Sequence, residues 1–260
     1  MKMNRSMLNR MMVCGIALAM VSTLAAQTEN QISAKVVRIK GSARYKVGSE
    51  AWQTLKSGDL INQGTIIETG MNDSRVDLVL GAGSASAPRP VMGTILTYHP
   101  AAEQNMVRIW ENSRLSIDKL TRTQTGADEV TDTKLDLQAG HIFGSVKKLS
   151  AASTYEVKIP NGVAGIRGTT YDISVEGVVK VLVGSVYLSY LNAAGQSATQ
   201  VIMGEQQFDA RTGVLSALPD PVKTSMLGVI TQLKSASAAA PMVYSVDQTI
   251  YSDTSPAAPR

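Results

Sequence analysis

Hydrophobic and polar residues alternate along most of this chain in short runs, the period-2 pattern of β-strands with one buried face. In the clearest run, Tyr155, Val157 and Ile159 alternate with Glu156 and Lys158. Similar runs occur at 37–40, 76–80, 107–110, 135–146 and 178–191. Glycine, proline or asparagine closes most of them. The sequence therefore predicts an all-β fold, an irregular β-solenoid or sandwich-like stack of short strands.

Four glycines share a local pattern, in which an apolar residue stands three positions earlier. The pairs are Leu55/Gly58, Leu137/Gly140, Val181/Gly184 and Val201/Gly204. Their spacing along the chain is unequal, so the pattern does not establish a regular solenoid. It does favour successive β-layers with glycines at their corners.

The stretch from 154 to 175 contains a break between two alternating runs. Pro160 ends the first run because it has no amide to give to a ladder, and the following Asn161-Gly162 is typical of a tight turn. Arg167 then stands between two glycines. We interpret it as a structural corner residue whose guanidinium satisfies backbone carbonyls, and the alternative is bidentate recognition of a carboxylate.

Two polar segments interrupt the alternation. The Gly-, Ala- and Pro-rich segment 81–93 is predicted to be a loop, either a ligand-binding element or a tolerated insertion in the region 81–106. The segment 121–131 is predicted to be a second polar loop.

The chain changes character near residue 217. Asp220-Pro221 is typical of a helix start, and Val222, Met226, Val229 and Leu233 follow at near-helical spacing. The sequence predicts one short helix over about 221–235. The remainder to residue 260 is rich in Ala, Ser and Pro, which predicts a disordered tail.

The first 26 residues have the pattern of a secretory signal peptide. Basic residues precede an apolar run that is too short to span a bilayer, and small residues follow it. Cys14 lies near the start of the apolar run, which argues against lipidation. It is the only cysteine, so the mature chain is expected to have no disulfide. We expect a periplasmic or secreted protein without a membrane span.

The mature chain has almost balanced charge. Removing Lys2, Arg5 and Arg10 lowers the formal net charge from +4 to +1. A protein that gathers phosphates usually shows a basic excess. Nucleic acid is therefore not an expected partner.

The side chains that carry chemistry form no recognisable catalytic motif. His99 and His141 lack partners at metal-ligand spacing, and we expect no metal, no cofactor and no enzymatic activity. A loose acidic set has the oxygen ligands that calcium uses, but a solvated face explains it better; it comprises Asp118, Asp128, Glu129, Asp132 and Asp136. Trp52 and Trp110 are tentative interaction residues that could stack on a sugar, with packing as the favoured alternative.

The chain resembles the FecR-type domain of bacterial envelope proteins over about residues 34–210. The most diagnostic motif residues are Pro160, Gly165, Arg167, Gly168 and Thr169, with Ile159 and Ile166 in place of the usual Thr and Val. Other matching positions are Gly41, Trp52, Leu55, Gly58, Leu60, Gly64, Ile67, Thr69, Gly70, Ser74, Leu137, Gly140, Ile142 and Val146. The resemblance implies a strand-rich, solenoid-like fold.

This resemblance organises the functional hypotheses. Its best-known members place the domain in the periplasmic half of an anti-sigma regulator, behind a membrane span and a cytoplasmic domain that are not expected here. We predict a signal peptide at 1–26, a FecR-like β-domain at 27–217, and a helix with a flexible tail at 218–260. The expected function is a non-catalytic module for protein interaction, envelope sensing or scaffolding, with another envelope protein as partner. The alternative is a glycan- or cell-wall-binding module that uses Trp52, Trp110 or the 81–93 loop.

Overall fold

The computed structural model describes residues 30–82, 104–125 and 128–239. Within these ranges the chain forms two β-sheets and one helix, which confirms the all-β class with a C-terminal helix. The strands are β1 (Asn30–Gln31), β2 (Ser33–Lys40), β3 (Ala43–Val47), β4 (Gln53–Thr54), β5 (Leu60–Ile61), β6 (Thr65–Thr69), β7 (Arg75–Ala82), β8 (Asn105–Ile109), β9 (Arg114–Thr125), β10 (Asp128–Ala139), β11 (His141–Ser145), β12 (Thr154–Ile159), β13 (Gly162–Ile166), β14 (Thr170–Ser174), β15 (Val178–Val183), β16 (Ser185–Leu191), β17 (Ser197–Met203), β18 (Gln206–Asp209) and β19 (Val214–Ala217). The helix is α1 (Asp220–Ala239).

The two sheets are open, and their inner faces pack against each other. Sheet A has the order β17-β16-β13-β12-β10-β9-β6-β3-β4, with β1 also paired to β9. Sheet B has the order β19-β18-β15-β14-β11-β8-β7-β2-β5. Among the described strands, β10 and β12 pair in parallel and the other pairs are antiparallel. Neither sheet closes on itself, so each keeps two terminal strands.

The chain crosses between the sheets after every one or two strands. The glycines at 58, 140, 184 and 204 lie at four of these crossings. At Gly140 the φ angle is +71°, and a Cβ atom there would lie 2.1 Å from the Ser113 Oγ atom. Only glycine fits such a corner without displacing the neighbouring backbone. The corner glycines therefore let the chain turn sharply from one layer into the next.

Inward-facing side chains from both sheets form one hydrophobic core. Tyr155, Val157 and Ile159 of β12 are buried there, as their alternation predicts. The Tyr155 hydroxyl lies 3.1 Å from that of Tyr171 on β14, so a hydrogen bond joins the two sheets inside the core. Burial raises the pKa of both hydroxyls, which keeps them protonated.

Helix α1 packs on the outer face of sheet B. It is longer than the predicted 221–235, and its buried residues Met226, Val229 and Leu233 join a second hydrophobic cluster with Val79 and Phe143 of the sheet. Sheet B is consequently covered on both faces near the helix. No helix in the described part of the chain combines the length and hydrophobicity that crossing a membrane requires.

The predicted polar loop at 121–131 is wrong. Strands β9 and β10 pair antiparallel through this segment, from Thr125↔Asp128 to Arg114↔Ala139, and form a long hairpin. Its threonines sit on a pleated surface, where β-branched side chains are favoured whether or not they are apolar. Thr121 and Thr131 are buried. Polarity indicated a loop, but β-branching determined the structure.

The stretch 154–175 contains a further strand, which lies in the break between its two alternating runs. Residues Gly162–Ile166 form β13, and the register Ile159↔Gly162 makes Pro160 and Asn161 the two turn residues. Gly162 has no positive φ; a Cβ atom there would lie 2.4 Å from the Ser189 carbonyl oxygen. This glycine therefore permits close approach of β16 rather than a tight turn.

Several predictions fall outside the described residues. They are the signal peptide, the part of the 81–93 loop beyond residue 82, His99, and the tail from residue 240.

Candidate functional site

A row of mostly charged side chains crosses the outer face of sheet B beneath α1. It follows the cross-strand register and consists of Arg38, Asp77, Arg108, Phe143, Asp172 and Lys180. Covering charged groups is costly unless each finds a partner. Phe143 divides the row into an arginine half, Arg38–Asp77–Arg108, and a lysine half, Asp172–Lys180.

The arginine half is closed by hydrogen bonds. Arg108 donates from Nε to Asp77 Oδ1 at 2.7 Å and from Nη2 to Oδ2 at 3.0 Å, a bidentate pair. Arg38 Nε donates to Asp77 Oδ2 at 2.8 Å. The Asp77 side chain is 0% exposed and that of Arg108 is 1% exposed. One buried carboxylate therefore holds two guanidinium groups, that of buried Arg108 and that of the partly exposed Arg38.

Gln232 of α1 completes the arginine half. Its Oε1 accepts from Arg108 Nη1 at 2.9 Å, and its backbone oxygen accepts from Arg38 Nη2 at 3.1 Å. The helix thus contacts the charged layer through one residue that binds both arginines. Because these bonds are directional, they fix the position of the helix along the sheet more sharply than the apolar contacts do.

The lysine half is less well satisfied. Lys180 Nζ lies 3.5 Å from Asp172 Oδ1, and the side chains are 31% and 14% exposed. Burial raises the pKa of Asp172, and this effect outweighs the attraction of Lys180 and of nearby His141. The Asp172 carboxylate is therefore covered without the short hydrogen bonds that Asp77 receives.

A cleft of about 270 Å³ lies above the lysine half. Its lining from the sheet is Trp110, His141, Phe143, Asp172 and Lys180, and from α1 it is Val222, Ser225, Met226 and Val229. The helix residues in this lining carry no charge. The cleft thus has a mixed lining, in which one carboxylate, one ammonium group and the His141 imidazole stand beside apolar side chains.

Trp110 is half-buried at the edge of this cleft. The His141 ring stacks on it with centroids 5.5 Å apart at 21°, and the Arg108 guanidinium lies 5.2 Å from the indole centroid. The indole Nε1 is buried and has no hydrogen-bond partner among the described residues. Trp110 therefore presents an unused donor, while its ring already contacts protein groups.

Trp52 lies elsewhere, in the connection between β3 and β4 of sheet A. The Arg44 guanidinium lies 4.6 Å from the centroid of its ring, and Lys46 Nζ lies 5.2 Å from it. Trp52 is half-buried. The two tryptophans are thus on different sheets, and the structure does not bring them together in one site.

The motif residues of the central corner hold the chain at a crossing. Gly168 has φ +73°, and a Cβ atom there would lie 2.9 Å from Lys148 Cα. Buried Thr169 donates from Oγ1 to the Ser185 carbonyl at 2.8 Å. Arg167 is exposed, with one 3.5 Å hydrogen bond to the Ser150 carbonyl. Gly168 and Thr169 make the close contacts of the corner, whereas Arg167 contributes one long hydrogen bond.

Of the two remaining motif residues, one precedes β13 and the other lies within it. Pro160 is exposed in the turn before it, and Gly165 pairs with Glu156 and Tyr187 inside sheet A.

Strand β17 is a terminal strand of sheet A. Its seven residues include no charged side chain. Beside it, an apolar strip on the outer face of the sheet comprises Val163, Tyr187, Val201 and Met203, which are 38%, 53%, 37% and 53% exposed. At the opposite ends of the sheets, β4 and β5 have only two residues each. The long uncharged edge therefore lies at one end of the molecule.

The outward backbone groups of β17 can be assigned from two side-chain contacts. Met203 N donates to Gln206 Oε1 at 2.9 Å, and the Val201 oxygen accepts from Gln200 Nε2 at 2.7 Å. In an antiparallel edge strand, alternate residues direct both backbone groups away from the neighbour. Thr199, two residues before Val201, consequently presents its N–H and C=O at the open side.

The described residues contain no group of three or more His, Cys, Asp or Glu side chains arranged to hold a metal. Three of the acidic residues of the hairpin form ion pairs instead, Arg122–Glu129, Lys119–Asp132 and Lys158–Asp136.

Sequence reasoning missed the charged row. Asp77 stands between Val76 and Leu78, and Arg108 between Val107 and Ile109. Charges at alternate positions of a strand normally indicate a solvent-facing side. The apolar stripe predicted for α1 was the available signal, because that stripe must cover some outer face of a sheet.

The fold and the site define an all-β, two-sheet module with a helix clamped over one face. Residues 100–187 match the family described as FecR protein, which confirms the resemblance over that segment. The match is shorter than the 34–210 of the sequence resemblance. It includes Arg108, Phe143, Asp172 and Lys180 of the charged row, and the corner at 160–169.

No curated protein matches the sequence. Two crystal structures of candidate anti-sigma factors from Parabacteroides distasonis are similar at low level. One is 13% identical with a TM-score of 0.31 and covers 43% of this chain and 50% of that one. The other is 10% identical with a TM-score of 0.28 and covers 73% and 59%. The chain thus spans about half of the first structure's length and three fifths of the second. These scores are too low to carry an argument about function.

Proposed function

We propose that this chain is an exported, non-catalytic FecR-type module that binds another envelope protein and serves in sensing, regulation or scaffolding. The family match at 100–187 supports the class, and the edge of β17 is the observation that carries a binding role. Export rests on the signal-peptide pattern of the first 26 residues. Fractionation of cells that express the full chain tests it, since retention in the cytoplasm would contradict export.

The β17 edge suits strand addition by an extended peptide. Natural proteins usually protect long edges with charge, proline or short strands, and β17 has none of these. A partner strand would gain main-chain hydrogen bonds from Thr199, while its side chains cover the apolar strip. The partner chemistry is therefore an extended, uncharged segment with apolar residues at alternate positions.

A backbone-specific substitution tests this role. Thr199→Pro removes an outward N–H and is compatible with an edge strand, and Thr199→Ala is the matched control that keeps it. With the chain from Gln27 as bait in an envelope extract, the same protein should be captured by wild type and Thr199→Ala and lost with Thr199→Pro, at similar melting temperatures.

The other outcomes of this experiment contradict the proposal in different ways. Capture that survives Thr199→Pro would show that the partner binds elsewhere. If a cross-linker placed at Ser197, the first residue of β17, joined two copies of the chain, the edge would instead mediate self-association. Recovery of polysaccharide without protein would favour the glycan-binding alternative.

A further inference from the structure

We propose that the cleft beneath α1 binds a free α-amino acid with an apolar side chain. The proposal goes beyond the protein-binding role, because it uses sheet B and α1 rather than the β17 edge. It rests on the two charges and the largely apolar side chains that meet in this cleft.

The charges in the wall are one carboxylate and one ammonium group, 3.5 Å apart. Asp172 Oδ1 and Lys180 Nζ form a long contact rather than a tight pair. A ligand that carries both an ammonium and a carboxylate on one carbon can bind each protein group with its opposite charge. A ligand with a single charge would satisfy one group and face a like charge on the other.

The remaining lining suits an apolar side chain. Phe143 of the sheet and Met226 and Val229 of α1 line it, each with only a small part of its surface open to the cleft. The cleft volume of about 270 Å³ is at the lower end of small-molecule sites, which favours a ligand of amino-acid size. Met is also an adaptable lining residue, since its unbranched side chain fills irregular space.

Trp110 supplies a spectroscopic reporter in the wall of the cleft. Its ring lines the cleft, so a bound ligand should change its fluorescence. The contrast with the arginine half supports the assignment. There, Gln232 of the helix saturates the charged groups, whereas the helix residues over Asp172 and Lys180 offer only Ser225 as a polar side chain.

Fluorescence titration tests the proposal directly. The chain has two tryptophans, so Trp52→Phe leaves Trp110 as the reporter in an otherwise full-length protein. Leucine, methionine and phenylalanine are titrated, with 4-methylpentanoate and 3-methylbutylamine as probes that keep one charge each. At least one amino acid should bind saturably, and the single-charge probes about tenfold or more weakly.

Three variants identify the site. Asp172→Asn and Lys180→Gln should each weaken amino-acid binding about tenfold or more. Ser225→Leu should do the same by filling the cleft from the helix side without touching either charge. Lys234→Gln on α1 is a matched control outside the cleft, and thermal melts of all four variants confirm folding.

Two results would overturn the assignment. The first is no saturable response to any of the three amino acids up to about 10 mM, a concentration that detects even millimolar affinity. The second is binding that is equally tight for a single-charge probe or unchanged in folded Asp172→Asn and Ser225→Leu.

Discussion

The two halves of the charged row lie under the same helix, yet they differ in how completely their charges are satisfied. Asp77 receives three hydrogen bonds from Arg38 and Arg108 at 2.7–3.0 Å. Asp172 has one contact of 3.5 Å with Lys180. The difference follows from residue type, because the planar guanidinium binds a carboxylate bidentately and an ammonium does not. One half therefore fixes the helix, and the other leaves chemistry available beside a cleft.

The largest expected effect is on the arginine half. Asp77→Asn keeps the size of the side chain but leaves Arg108 buried without its counter-charge. Removing one partner of a buried ion pair typically costs about 3–5 kcal/mol. Urea unfolding should show a lower midpoint with an unchanged slope. A loss below about 1 kcal/mol would mean that solvent or another acceptor reaches Arg108.

The helix contact to this half should matter less than the ion pair. Gln232→Ala removes the acceptor of Arg108 Nη1 but leaves the backbone oxygen that binds Arg38. We expect a loss of about 1–3 kcal/mol, the cost of an unsatisfied buried donor. Lys234→Ala, on the same turn and exposed, is the control. Equal stability of the two variants would show that the Gln232 side chain does not help to hold the helix.

Replacing aspartate with asparagine in the lysine half, as in Asp172→Asn, should stabilise the protein, whereas Asp77→Asn should destabilise it. Burial holds the pKa of Asp172 above its ordinary 3.8, against the attraction of Lys180 and His141, and the helix lining of the cleft carries no charge. The folded protein thus binds this proton more tightly than the unfolded chain. The stability that protonated Asp172 contributes is consequently lost as pH rises from about 3.8 through the raised pKa.

Asp172→Asn cannot lose a proton, which makes the pH dependence measurable. The variant should match the wild type below this window and exceed it in stability above the window. The unfolding free energies of both proteins would be measured from pH 3 to pH 7, at steps of about one pH unit. The curve of the variant should separate from that of the wild type as pH rises. A variant that is less stable at neutral pH would mean that the Lys180 contact outweighs burial.

Much of the fold could be predicted from sequence, because its strands obey a local rule. The alternation of Tyr155, Val157 and Ile159 predicted their burial, and the glycines at 140 and 184 predicted the corners. The hairpin of β9 and β10 was missed because its strands contain polar threonines, which a rule based on composition assigns to loops. Local patterns therefore predicted burial, but they did not predict which strands pair.

The candidate site was harder to predict from the sequence, because it forms only where α1 covers sheet B. Arg108 and Asp77 are 31 residues apart, and Gln232 lies a further 124 residues from Arg108. No local pattern brings such residues together. The motif at 165–169 indicated a corner arginine, Arg167, which has one hydrogen bond to a backbone carbonyl, but it gave no sign of the buried Arg108.

The smallest expected effect is at that exposed arginine. Arg167→Ala removes one 3.5 Å bond to the Ser150 carbonyl from a solvent-exposed side chain, so the change in unfolding free energy should be below about 0.5 kcal/mol. Gly168→Ala is the contrast, because φ +73° and the 2.9 Å approach to Lys148 Cα leave no room for Cβ. It should cost more than about 1 kcal/mol. If Arg167→Ala proved as costly as Asp77→Asn, burial would not be what separates the two arginine sites. In that case the motif arginine would hold the corner together.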